Sequence, residues 1–247
     1  MSDIRQNYRQ VGERIAAAAR RVSRDEDEII LVGVTKTQPV EAVLEALDAG
    51  LQHLGENRVA ELGQKRRQIE ERRAGGHLPI WHMIGHIQSR KARDVVASAD
   101  MVHSLDSVKL ARRLERFAAE AGRVVPVLLE VNLSGEESKY GLPADRWQED
   151  AGRLGGVREL VTEVLQSAHL HLQGLMTMAP WVPDPEVIRP VFRSARLLRE
   201  RLAAEYPQGD WRHLSMGMTD DFEIAIEEGA TIVRVGRALF GPWLVIA

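Results

Sequence analysis

Ile29-Ile30-Leu31-Val32-Gly33-Val34-Thr35-Lys36 is a short, β-branched, apolar run that ends in a lysine. A run this short, rich in Val and Ile and bounded by polar residues, reads as a strand buried on both faces. Seven further strand-like segments follow, at Gln52 to Gly55, Trp81 to Ile84, Met101 to Ser104, Val124 to Asn132, Leu170 to Met176, Arg212 to Met216 and Thr231 to Gly236. A helical pattern lies between each pair. Pro39 opens one with Val40, Val43, Leu44 and Leu47 on a single face, and Gly50 closes it. Asp106 precedes another in which Leu110, Leu114, Phe117 and Ala121 recur, stopped by Gly122. Strict alternation predicts parallel strands with right-handed crossovers, and eight units is the number that closes a (β/α)8 TIM barrel. A doubly wound open sheet is the structural alternative.

Upstream of the first strand, Ile4, Tyr8, Val11, Ile15, Ala18 and Val22 form the stripe of an amphipathic helix. The expectation is an extra N-terminal helix over 1–24 and a barrel over 29–247, together one domain spanning 1–247. The 247 residues suit one barrel, which typically needs about 250. No composition shift or long linker divides them. The loops Arg73 to Pro79 and Ala179 to Glu186 read as surface connections.

Hydrophobic residues make up 44% of the chain and charged residues 28%, enough for both a sizeable core and a solvated surface. A net charge of −3 exerts no long-range pull on nucleic acid or an anionic membrane. The basic run Lys65-Arg66-Arg67 alternates with Glu70 and Glu71 and reads as a solvated helix face. Cysteine is absent, which excludes disulfides, thiolate nucleophiles and cysteine-ligated metals and is compatible with a reducing cytosol. Asp3, Arg5 and Arg9 stand where a signal peptide would carry its apolar core. The expectation is a cytoplasmic monomer with no nucleic-acid or membrane partner.

In a barrel, chemistry belongs at the carboxyl ends of the strands, and phosphate commonly binds the loops after strands seven and eight. Lys36 closes the first strand, where a partly desolvated amine can attack a carbonyl to form an imine; a rim lysine snorkelling to water is the plain alternative. After the seventh strand, Leu214-Ser215-Met216-Gly217-Met218-Thr219-Asp220-Asp221 combines hydroxyls, a glycine and a helix start at which Thr219 is the expected N-cap. Val235-Gly236-Arg237-Ala238 supplies a second such turn after the eighth strand. One lysine with two late phosphate-type turns suggests a bound phosphorylated aldehyde. Arg234 sits in an apolar strand and needs a partner, either a ring nitrogen or acidic group of a ligand or a structural carboxylate such as Glu130. His82, His86, His169 and His171 invite a metal, but no His-Glu-x-x-His or cysteine accompanies them, and no metal is expected.

Together the motifs resemble the YggS/PROSC-type pyridoxal 5′-phosphate homeostasis proteins. The resemblance runs over nearly the whole chain: Lys36 in Val-Thr-Lys, Gly55-Glu56-Asn57, Trp81-His82-Met83-Ile84-Gly85, His103-Ser104-Leu105-Asp106, Glu130-Val131-Asn132 with Ser138-Lys139-Tyr140-Gly141, Gly174-Leu175-Met176, Leu214 to Met218, and Val233-Arg234-Val235-Gly236. It implies a fold-type III barrel, similar to the N-terminal domain of alanine racemase, holding pyridoxal 5′-phosphate (PLP) as an internal aldimine on Lys36. Asn57 would then lie near the ring, Arg234 would face the pyridine nitrogen, and Ser215, Gly217, Thr219 and Gly236 would hold the phosphate. Met218 and Arg237, in the same two turns, complete the expected cofactor-binding set. Arg58, His86, Arg90 and Arg237 depart from the tyrosine, proline, asparagine and threonine usual in the family. The last change exchanges a hydroxyl contact to phosphate for a charged one.

The function implied is that of a non-enzymatic carrier, which buffers PLP and delivers it to apo-enzymes. The alternatives are a PLP-dependent amino-acid racemase on the same barrel and a cofactor-free lysine-imine aldolase. Alanine-racemase-like enzymes use a tyrosine opposite the lysine as second base, and of the three tyrosines here only Tyr140 falls on a loop at the correct face.

Overall fold

Asp3 caps the first helix, its side chain accepting from Gln6 N at 2.9 Å, and α1 (Ile4–Arg21) buries Ile4, Val11, Ile15, Ala18 and Ala19. From there the computed structural model, which describes residues 3–241, alternates strand and helix. The order is β1 (Ile30–Val34), α2 (Val40–Asp48), β2 (His53–Glu56), α3 (Val59–Arg72), β3 (Ile80–Met83), α4 (Ala92–Ser98), β4 (Met101–Leu105), α5 (Val108–Glu120) and β5 (Val125–Asn132). A two-residue strand, β6 (Leu142–Pro143), precedes α6 (Gly155–Leu165), β7 (Leu170–Met176), α7 (Pro185–Glu205), β8 (His213–Ser215), α8 (Phe222–Glu227), β9 (Ile232–Val235) and α9 (Arg237–Phe240).

The eight long strands pair in parallel as β1-β2-β3-β4-β5-β7-β8-β9, and β9 returns to β1, so the sheet is a closed TIM barrel and not an open doubly wound sheet. Each expected strand lies within one residue of an observed one at both ends. β6, which adds to β5 outside the barrel, is too short to leave a pattern in the sequence. Residues 1, 2 and 242–247, the extremes of the expected domain, lie outside the described residues.

Ser107, the residue after Asp106, caps α5, its hydroxyl accepting from Leu110 N. Two local expectations are corrected. Thr219 is not the N-cap of α8: the chain makes an additional turn at Met218 to Asp221, and Asp221 stands at the cap position with its carboxylate accepting from Met218 N. Lys65 is not on a solvated face; it is 5% exposed, because its position on α3 faces the outer wall of β2, where Glu56 waits.

Side chains alternate across each strand, so the barrel has an inside and a helix-facing outside. Val32, Met101, Leu128, Met176 and Ile232 form the inner apolar cluster, while the larger core fills the annulus between strands and helices. Polar residues also point inward. His53 Nδ1 meets His82 Nε2 at 2.9 Å, His82 Nδ1 meets His103 Nε2 at 2.8 Å, and His103 Nδ1 meets Ser215 Oγ at 3.0 Å. Burial pushes the imidazoles of all three down, that of His82 to about 3, so the chain is neutral at ordinary pH.

Glu130 on β5 is 3% exposed, and its Oε2 is buried without a hydrogen-bond partner. Burial, aided by the negative charge of Asp106 and opposed by Arg234, pushes its carboxyl up from 4.5 to about 7.

Two outcomes are expected. Gly174 on β7 has φ +135°, and a Cβ there would lie 1.9 Å from the backbone oxygen of His213 on β8. Gly174→Ala should therefore cost about 3 kcal/mol or more, read as a drop in the urea midpoint; an unchanged midpoint would refute this account of the β7–β8 contact. Glu130 binds its proton more tightly in the fold than in the unfolded chain, so its stabilising contribution is complete below about pH 4.5 and is lost as pH rises through 7. Wild-type stability should thus decline by up to about 3 kcal/mol more than that of Glu130→Gln between about pH 5 and 8. Superimposable urea profiles across that range would remove Glu130 as the source.

Candidate functional site

The carboxyl ends of the barrel strands surround a cavity of about 280 Å³. Of the nine residues expected in the site, Lys36, Asn57, Met218, Thr219, Arg234, Gly236 and Arg237 line it together, drawn from the ends of β1, β2, β8 and β9. Ser215 and Gly217 lie outside its wall. Ser215 is fully buried and works inside the barrel as a hydrogen-bond partner of Arg234 and His103. Gly217 is a packing residue with φ +92°, where a Cβ would come within 2.6 Å of Ala225 Cβ on α8.

Lys36 sits at the centre of a tight turn. Thr35 O accepts from Gln38 N at 3.0 Å, and Thr37 takes φ +61°, an unusual value for a β-branched residue that costs on the order of 1–3 kcal/mol. The turn is held from behind the barrel wall. Lys65 Nζ donates to Thr35 O at 2.5 Å, to Glu56 Oε1 at 2.7 Å and to Glu61 Oε1 at 2.8 Å. Thr35 Oγ1 donates to Glu56 Oε1 at 2.6 Å, and Thr37 N donates to Glu61 Oε1 at 2.8 Å. Burial pushes the Glu56 carboxyl up, opposed by the Lys65 ammonium and its hydrogen bond. Asn57 follows Glu56 directly and is exposed to the cavity. Its backbone packs against bare Gly85, where a Cβ would lie 2.3 Å from Asn57 O.

Arg234 is 4% exposed, yet reaches the cavity wall. It donates from Nη1 to Ser215 Oγ at 2.6 Å and from Nη2 to Thr177 O at 3.1 Å, both neutral acceptors. Because a guanidinium only donates, the Ser215 hydroxyl accepts from Arg234 and keeps its hydrogen available to His103 Nδ1; in that arrangement each imidazole in the file carries its proton on Nε2. Burial pulls Arg234 down to about 10, with Asp221 and Glu130 opposing through space, so it remains a cation at neutral pH. Glu130, raised as described, is not the fixed carboxylate counter-ion that the strand sequence allowed for.

On the β8 and β9 side, the Thr219 hydroxyl accepts from Ala238 N at 3.4 Å, which joins the two expected phosphate turns. Arg237 pairs through Nη2 with Asp220 Oδ2, and both side chains are partly exposed at the cavity edge.

Asp221, buried and accepting from Met218 N, also lines the cavity, with burial pushing its carboxyl up; the rest of the wall is apolar and was missed in the sequence. Val34 and Ile84 come from strand ends, and Met178, Pro180, Trp181 and Val182 from the segment after β7. Pro180, Trp181 and Val182 fall within the loop Ala179 to Glu186, expected to be a plain surface connection, and Met178 just before it. Trp181 is 82% exposed, a position sequence alone could have flagged as a bulky aromatic in a loop at the carboxyl face. Tyr140 does not line the cavity; its ring stacks on His86 with centroids 4.0 Å apart.

Residues 2–242 match the family model of the alanine racemase N-terminal domain. A pyridoxal phosphate homeostasis protein of Aquifex aeolicus is 40% identical over 230 residues, covering 93% of each chain. Its namesake in Escherichia coli strain K12 is 38% identical over 243 residues, covering 98% of this chain and 97% of the relative. Among solved structures, PipY of Synechococcus elongatus PCC7942 with PLP bound superposes with a TM-score of 0.78 at 35% identity, covering 94% of this chain and all of PipY. An alanine racemase of Clostridium difficile shares the fold at a TM-score of 0.72 and 16% identity, this chain covering 58% of it. The chain belongs to the alanine racemase N-terminal domain family and, within it, to the pyridoxal phosphate homeostasis proteins.

Proposed function

We propose that this chain binds PLP as a Schiff base on Lys36, and buffers the cofactor or delivers it to apo-enzymes as a cytoplasmic monomer, without strong catalytic activity of its own. The observation that carries this is one cavity holding a primary amine, a buried arginine and a hydroxyl-and-arginine edge at once: Lys36, Arg234, and Thr219 with Gly236 and Arg237. These donors fit the group. The apolar faces of Val34, Ile84 and Met178 suit an aromatic ring, and Arg237 N, at the first position of α9 after Gly236, has no intrahelical acceptor. PipY, a relative at 35% identity, holds PLP.

When bound, the group supplies an electrophilic aldehyde and an electron-withdrawing ring. This chain's residues decide how far that chemistry goes. Arg234 stays cationic, and a cation facing the ring nitrogen disfavours its protonation because like charges repel. The ring is then a weaker electron sink, which suits storage better than turnover. Tyr140, the tyrosine that a racemase reading would call on, stacks on His86 and does not line the cavity. Arg237 stands ready to exchange Asp220 for phosphate, and Trp181 to cover the outer face of the ring.

The purified protein, incubated with PLP, should develop near-visible absorbance, and borohydride should fix the label on the peptide containing Lys36. Lys36→Ala should stay colourless. A wild-type protein that remains colourless would sink the proposal and favour the aldolase alternative. Arg237→Ala should weaken PLP binding about 10-fold, the scale of a charged hydrogen bond, and leave binding of unphosphorylated pyridoxal unchanged. Equal losses for both ligands in equilibrium titrations would remove Arg237 from the phosphate.

A further inference from the structure

The cluster of Lys65, Glu56 and Glu61 lies outside the cavity, and nothing in the binding of an aldehyde or a phosphate explains it. A lysine 5% exposed and a glutamate fully buried are uncommon, and their desolvation must be offset by close pairing. Their hydrogen bonds converge on one place. Lys65 grips the carbonyl of Thr35, Glu56 the hydroxyl of Thr35, and Glu61 the N–H of Thr37. The residue between them is Lys36, and the turn that carries it contains the positive φ of Thr37. Strand alternation sends Thr35 outward to the helix layer and Lys36 inward to the cavity, so a network on one side of the wall determines the direction of an amine on the other.

We propose that Lys65, with Glu61, is a positioning residue for Lys36; this rests on Lys36 being the residue that attaches PLP. The attachment step joins the lone pair of Lys36 Nζ to the aldehyde carbon. It forms a C=N bond and releases the carbonyl oxygen with two amine protons as water. Its rate depends on how often the amine is presented in the correct direction. Lys65 touches neither the amine nor the ligand and acts through the two peptide groups that flank Lys36. Removing it frees a strained turn to relax to other φ, ψ values, in which Lys36 is present but misdirected.

The test is the rate constant for appearance of the near-visible band after mixing with PLP, measured beside the thermal midpoint. Lys65→Met leaves Glu56 buried without its cation, so it is paired with the double variant Glu56→Leu/Lys65→Met, in which an apolar pair replaces the ionic one and the fold is retained. Both should form the band at least about 10-fold more slowly than wild type, still labelled at Lys36, with the double variant's thermal midpoint close to wild type. Glu61→Ala should also slow the reaction, and Glu61→Gln, whose amide oxygen accepts from Thr37 N, should restore most of the rate. A double variant that melts like wild type and reacts at the wild-type rate overturns the proposal. If neither Lys65 variant folds, the Glu61 pair decides: equal rates for Ala and Gln overturn it, and rescue by Gln alone supports it. Failure of the wild type itself to form the band would strike the Lys36 assignment, which is a separate result.

Discussion

Closure of the barrel is the constraint on which the other features depend. The β4–β5 pairing gives every long strand two neighbours and leaves no open edge, and the β1–β9 pairing sets Val32 beside Arg234. Those two strands come from the beginning and the end of the barrel sequence. Their register puts Lys36, Arg234 and the Gly236 turn around one opening.

A closed barrel must also fill its interior. Apolar residues such as Leu128 and Ile232 take part of that volume, and a file of neutral histidines takes the rest. Interior charge is thereby concentrated on Arg234, which is oriented by Ser215 and Thr177 and not neutralised by a close carboxylate. Asp221 and Glu130, the carboxyls that act on Arg234 through space, are both pushed toward their protonated forms by burial. The result is a cation at the cavity wall, oriented by neutral acceptors. The ionic cluster around Lys65 is the complementary case. There, buried charges are closely paired, and their hydrogen bonds fix backbone atoms.

Much of this was legible in the chain. The strands declared themselves because a strand buried on both faces must be apolar over its length, and Ile30 to Val34 or Val125 to Val131 have few other uses. Lys36 could be singled out because it ends such a strand, and the Gly217 and Gly236 turns because they end two others. The errors were of a different kind. Thr219 reads as the cap and Asp221 takes the position, since the three successive polar residues Thr219, Asp220 and Asp221 leave the choice of cap to the path of the turn. Lys65 looked like one member of a basic surface run, because helical periodicity marks the apolar face of α3 but cannot show that a carboxylate stands opposite one edge of it.

The sequence by itself determined the order of the eight barrel strands and their helices and the residues at the strand ends, because those follow from local periodicity and turn chemistry. Tertiary structure alone decided which of those residues share a space. Ser215 and Gly217 went to the barrel interior and the α8 contact and not to the cavity wall, Trp181 joined that wall from a loop, and Lys65 came to rest behind Lys36. The physical reason is that strand register and barrel closure set distances between residues remote in the chain, and burial, hydrogen bonding and charge act on those distances.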